Sequence, residues 1–294
     1  MLQTALLDRK IGLALSGGSA RGLAHIGVLS VLKEQGIHID MISGTSIGSL
    51  IGALYAGGKD IEQLRSLAMN LGPKRFSFLA DPGLPKSGLI RGRKIKNMLR
   101  ATIGDIEFSD LEIPFACAAT DIRNGQEVVI RQGLVREGVR ASCSIPLLMA
   151  PTKLGDRYLV DGGLCDPVPV RILKEMGADF IIAVNVSPGM QGRYLDADNE
   201  HAKKNGPNIL DISIQLVNII SNASLNPSLL GADVIIEPKL AHIGWGDFHR
   251  VQECILQGEL AAADSMQEIK RQLEQVSCSV TSSKHNRKNR MGYD

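Results

Sequence analysis

The pentapeptide Gly44-Thr45-Ser46-Ile47-Gly48 restricts the fold more than any other stretch of the chain. Asp40-Met41-Ile42-Ser43 before it is short and apolar enough to end a buried strand. Leu50, Ile51, Ala53 and Leu54 after it have helix-compatible spacing. A strand must therefore turn sharply into a helix at Ser46. Flanking glycines let such a turn form without Cβ clashes and push the serine hydroxyl out at the helix head. Backbone N–H groups that stabilise an oxyanion gather at the same place.

Elements of the same kind recur along the chain. Ile11–Leu15 reads as a buried strand, followed by a tight loop from Ser16 and a helix over Ala20–Gln35 with Gly36 at its C-terminal cap. Asp60-Ile61-Glu62-Gln63 has capping-box spacing for a helix to about Leu71. Pro114–Asp121 and Glu127–Arg131 read as strands joined by an Asn124-Gly125 hairpin turn. Leu134–Ser142 reads as a helix. Arg157–Val160 is a brief strand that runs into Asp161-Gly162-Gly163. Val170–Met176 is helical and closes at Gly177; Phe180–Val186 is a buried strand. Ile209–Ala223 reads as an amphipathic helix, Val234–Ile236 as a last strand, and Val251–Val276 as a helix with a break expected near Gly258. The alternation predicts an α/β fold, three-layered α/β/α, with a mostly parallel central sheet.

The domain organisation expected is a lead-in over residues 1–10, one domain over 11–276 and a disordered basic tail over 277–294. Gly72–Ile90 stands apart, with Phe76, Phe78, Leu79, Leu84 and Leu89 among prolines and glycines. It reads as a loop packed over the core or as a flap that touches lipid. Ser187–Asn208 reads as a polar surface excursion.

The function classes narrow from composition. A net charge of +2 makes no case for nucleic acid, and 4% aromatics offer few stacking platforms. Five dispersed cysteines without a C-x-x-C pair point to reduced thiols and a cytoplasmic protein. No apolar run reaches transmembrane length, so membrane contact would be peripheral, at the inner face. The six histidines lack metal-ligand spacing; neither a metal nor a cofactor is expected.

Three glycine-rich sites follow strand ends: Gly17–Gly22, Gly44–Gly48 and Asp161–Gly163. Strands of a parallel sheet present their C-terminal ends along one edge, where these sites converge. Ser46 supplies a nucleophile, Asp161 a carboxylate to accept its proton, and the loop Gly17-Gly18-Ser19-Ala20-Arg21-Gly22 supplies N–H groups at a helix start. That loop also approaches a dinucleotide fingerprint. However, Ser19 stands at its third position, and Asp40 precedes the second strand instead of ending it. His25 is a candidate base on the helix after the loop, and His242 and His249 are candidates from a late loop. With none of them marked locally, the pattern points towards a Ser46–Asp161 dyad.

Taken together, these residues resemble the bacterial patatin-like phospholipases. The resemblance rests on Ser16–Leu29, Gly44–Gly48 and Asp161-Gly162-Gly163 in order, with Ala141–Pro146 before the aspartate and Pro167–Val170 after it. It spans about Ile11 to Glu274. It implies a hydrolase of lipid acyl esters, with phospholipids, lysophospholipids or simpler lipids as partners and no metal. Ser46 would be the nucleophile and Asp161 its base. Gly17, Gly18, Ser19, Arg21 and Gly22 would form the oxyanion loop, and Gly44, Gly48, Gly162 and Gly163 would complete the motifs. Ser19 departs from the glycine expected there. The alternative is an adaptor or regulatory protein that keeps the fold.

Overall fold

A computed structural model describes residues 9–71, 92–187 and 209–290. The chain runs β1 (Ile11–Leu15), a 3-10 turn (Ser19–Leu23), α1 (Ala24–Glu34), β2 (Met41–Thr45), α2 (Ile47–Ala56) and α3 (Ile61–Leu71). After a gap in the description come α4 (Arg93–Ile103), β3 (Phe115–Asp121), β4 (Glu127–Ile130), α5 (Val135–Ser142), β5 (Thr152–Leu154) and β6 (Arg157–Asp161). Then follow α6 (Val170–Met176), β7 (Phe180–Val184), α7 (Ile209–Ser228), β8 (Val234–Ile236) and α8 (Val251–Arg290). The expectations for Gly72–Ile90, and for most of the 187–208 excursion, fall outside the described residues.

Among the described residues, β1 to β8 form a single sheet. Its β8-β7-β1-β2-β3 part is parallel throughout. Alternation along each strand builds two cores. Leu13, Leu15, Ile42, Phe180 and Ile182 point into the larger one, shared with α1, α2 and α8. Ala14, Met41, Ile181 and Ala183 point the other way, against Val170 and Leu173 of α6 and Leu225 of α7. Helices on both faces of a mostly parallel sheet make the three-layer α/β/α arrangement expected from the alternation.

β3 positions the site. Cys117 pairs with Gly44 of β2 on one edge and with Ile130 of β4 on the other. Ala119 pairs with Val128 of β4 on that second edge, so its partner Asp161 of β6 must lie on the same edge as β2. β2 therefore covers β3 as far as Thr45↔Ala118, and antiparallel β6 takes over at Asp161↔Ala119. The end of β6 and the elbow after β2 meet at this junction.

The structure departs from expectation in several places. The helix after β1 opens as a 3-10 turn and becomes α-helical only at Ala24. β5 and α4 were not anticipated. α7 continues to Ser228 with Pro227 inside it. α8 is unbroken at Gly258, because that glycine serves packing: a Cβ there would come within 2.0 Å of the Ala24 carbonyl, and one at Gly27 within 2.0 Å of the Ile255 carbonyl. The two helices cross backbone to backbone at these positions. α8 also extends to Arg290, where a disordered tail was expected. No glycine or proline interrupts the chain between Gly258 and Arg290, so nothing local stops a helix already nucleated on the core.

Candidate active site

Ser46 sits between β2 and α2 with φ 53° and ψ −123°, a backbone conformation that a side chain makes costly. Surrounding groups hold it there. The Ser142 hydroxyl accepts from the Ser46 N–H at 2.9 Å. The Ser46 carbonyl accepts from Ser49 N–H at 2.9 Å, Ser49 Oγ at 2.6 Å and Cys143 Sγ at 3.2 Å. Burial pushes the Cys143 thiol up to about 12, so it stays a neutral donor. Gly44 and Gly48 allow the turn to pack: a Cβ on Gly48 would meet the Leu15 carbonyl at 2.3 Å.

Ser46 Oγ donates to Asp161 Oδ2 at 2.6 Å, with both side chains buried. The other carboxylate oxygen, Oδ1, accepts from Gly163 N–H at 2.8 Å. The Asx-type turn and the contact with serine are thus served by different oxygens. Burial raises the Asp161 carboxyl to about 6, against the lowering influence of the Ser46 and Gly163 hydrogen bonds. The carboxyl therefore titrates closer to neutrality than an ordinary aspartate does.

Both groups line a cavity of about 70 Å³, together with Gly17, Gly18, Ser19 and Arg21. The loop's donors are unevenly committed. Gly17 N–H goes to the Pro167 carbonyl, Ala20 N–H to that of Trp245 and Arg21 N–H to that of Gly18. Within Gly17–Arg21 the N–H groups of Gly18 and Ser19 make no such backbone bond, while Gly17 lines the cavity with its own N–H engaged. Gly22 does not line the cavity; a Cβ there would meet Ile47 Cγ2 at 2.2 Å, so the glycine admits close packing. Ser19 adopts φ 52°, the left-handed conformation that a glycine would take without strain. Arg21 is buried, with Nε bonded to the Ile243 carbonyl at 2.7 Å.

The histidines lie apart from this chemistry. His25 Nε2 donates to the Ser16 carbonyl at 2.9 Å, and burial lowers its pKa to about 4; the ring is a neutral support under the loop. His242 is exposed and bonded to Glu253, and His249 is exposed. Neither lines the cavity.

Sequence reasoning assigned no role to Ser142, Ser49 or Cys143. For Ser142 and Cys143 the signal was the Ala141–Pro146 stretch, which entered only through the resemblance. It also missed the α7 wall, formed by Ile214, Val217, Asn218 and Ser221, and Trp245, whose carbonyl accepts from Ala20 of the loop. Ser142→Ala tests the clamp: it strands the Ser46 N–H in a dry site at about 1–3 kcal/mol. We expect kcat to fall at least tenfold (about 1.4 kcal/mol) while the chain stays folded; unchanged kcat would mean that the clamp does not set the elbow.

A family model described as patatin-like phospholipase matches residues 13–174. An uncharacterized NTE family protein of Mycobacterium bovis is 35% identical over 189 residues, covering 64% of this chain and 52% of that protein. Lysophospholipase NTE1 of Debaryomyces hansenii is 31% identical over 283 residues, covering 90% of this chain and 18% of its own length. The chain thus spans about half the length of the mycobacterial relative and less than a fifth of the fungal one. The crystal structure of VipD from Legionella pneumophila matches with a TM-score of 0.50 at 14% identity, over 85% of this chain and 67% of that one, a likeness of fold alone. With the family model covering more than half of its residues, this chain belongs to the patatin-like phospholipase family.

Proposed function

We propose that the protein hydrolyses carboxylic ester bonds of phospholipids, lysophospholipids or related lipids through a Ser46–Asp161 dyad. The observation that carries this reading is the 2.6 Å hydrogen bond from Ser46 Oγ to Asp161 Oδ2 inside the cavity. Lysophospholipases among the relatives supply the substrate class.

In the first half-reaction Ser46 Oγ attacks the ester carbonyl carbon as its proton passes to Asp161. The carbonyl oxygen becomes an oxyanion, received by the N–H groups of Gly18 and Ser19. Collapse of this intermediate breaks the C–O bond to the alcohol, which leaves with the proton from Asp161. Water then attacks the acyl-Ser46 ester, giving its proton to Asp161, and the fatty acid departs as the proton returns to Ser46 Oγ. Asp161 acts as base and acid in turn, a role that suits a carboxyl raised to about 6.

The test is labelling of the intact chain with a fluorophosphonate, with the modified residue mapped by mass spectrometry. Labelling at Ser46 together with hydrolysis of acyl esters supports the reading; an unreactive Ser46 and no ester cleavage would favour the adaptor instead. The pH profile gives a second check. Asp161 must be ionised to take the proton, so kcat/KM for a soluble ester should rise with pH through about 6 and level off above it. A rate that climbs instead as pH falls through that region would exclude Asp161 as the base.

A further inference from the structure

α7 carries apolar side chains on both faces. Ile214, Val217, Asn218 and Ser221 turn inward to the cavity, so its buried face carries polar groups. Ile212, Leu216, Ile219 and Ile220 lie on the opposite side, with exposures of 42%, 52%, 52% and 45%. Helical spacing of three, four and seven residues gathers these four into one apolar stripe. From Ile212 to Ser228 no side chain carries a charge.

We propose that this outward stripe of α7 seats on a lipid surface and holds the Ser46 cavity at the interface; the inference rests on the lipid-hydrolase reading above. Charge selects the occupant. A helix that enters the headgroup–acyl boundary needs an uncharged apolar side with cations at its margin. At the C-terminal end of α7, the ammonium of exposed Lys174 bonds the Leu230 carbonyl at 3.2 Å, and the Leu230 side chain is 72% exposed. An exposed aliphatic side chain and a cation thus stand past the C-terminal end of α7, beyond Ile220, matched to acyl chains and anionic headgroups. No helix among the described residues is long and apolar enough to cross a membrane, so α7 would lie in the plane of the interface. Its inner face is also a wall of the cavity.

The experiment uses the full chain with Ser46→Ala, so that lipid is bound but not consumed, and measures flotation with phosphatidylcholine–phosphatidylglycerol vesicles. Leu216→Glu with Ile219→Glu should lower vesicle binding by about tenfold or more. The milder pair Leu216→Ser with Ile219→Ser should lower it in the same direction and guards against misfolding. With Ser46 present, both pairs should keep fluorophosphonate labelling and hydrolysis of a short soluble ester at the parent rate. Vesicle binding unaffected by either pair overturns the proposal. So does a parent that fails to float but forms a dimer dispersed by the same substitutions, since the stripe would then be covered by a second copy. Labelling and soluble-ester hydrolysis report on the dyad separately, so failure of the lipid surface and failure of the hydrolase reading give different results.

Discussion

Asp161→Asn should abolish ester hydrolysis and at the same time raise the melting temperature above that of the parent at alkaline pH. Loss of the base should lower kcat/KM by roughly a thousandfold or more. The gain in stability follows from burial. The Asp161 carboxyl is raised from 3.8 to about 6, so the folded protein binds this proton more tightly than the unfolded chain does. Its contribution to stability is complete below the unfolded value and is lost as pH rises through about 6. The ionised, buried carboxylate then costs the fold about 3 kcal/mol.

Asparagine is neutral at every pH and nearly isosteric. Its oxygen can accept from Gly163 N–H, and its amide can donate to Ser46 Oγ. The melting difference between variant and parent should therefore be small below about pH 3.8, grow as pH rises to about 6 and level off above it. A variant that melts lower than the parent at the higher pH would mean that Asp161 holds the fold together instead of straining it.

Ser46 offers the second large effect. Ser46→Ala and Ser46→Gly should both lose hydrolysis, by roughly a millionfold if the nucleophile acts as one unit with its base. They should differ in stability. Each loses the same hydrogen bond to Asp161, but only alanine keeps a Cβ at φ 53° and ψ −123°. Glycine takes that conformation freely, so Ser46→Gly should be more stable than Ser46→Ala by about 1 kcal/mol. Equal melting temperatures would mean that the elbow stores no strain. These two outcomes together would make the proposed site a place where stability is given up for reactivity, with a serine in a costly conformation beside a buried carboxylate.

Much of this site was legible in the sequence, for local reasons. Glycines at positions 44 and 48 around a serine permit only a few backbone paths, and the apolar residues on either side set the strand before it and the helix after it. Gly177 closes α6 in the left-handed conformation, φ 89°, that only glycine adopts cheaply. Asp60 and Gln63 cap α3 reciprocally, as their spacing predicted. Compact apolar runs assigned β1 and β7 as buried strands, and both are buried throughout.

Tertiary structure decided the rest, because the relevant distances lie across the chain. Nothing within a few residues of Asp161 indicates that β6 will take over the edge of β3 where β2 leaves it, yet that exchange places the carboxylate 2.6 Å from Ser46 Oγ. Nor do the loop glycines reveal that Pro167 will occupy the Gly17 N–H, or that Gly22 exists to admit Ile47. Gly258 read as a helix breaker because propensity treats glycine in isolation; against Ala24 it is the only residue small enough for two helix backbones to touch. The sequence by itself determined the turns, caps and alternation, since backbone torsions and side-chain periodicity act over a few residues. Only the folded molecule decided which turns meet, which N–H groups stay available and which wall closes the cavity, since these depend on packing between segments more than a hundred residues apart.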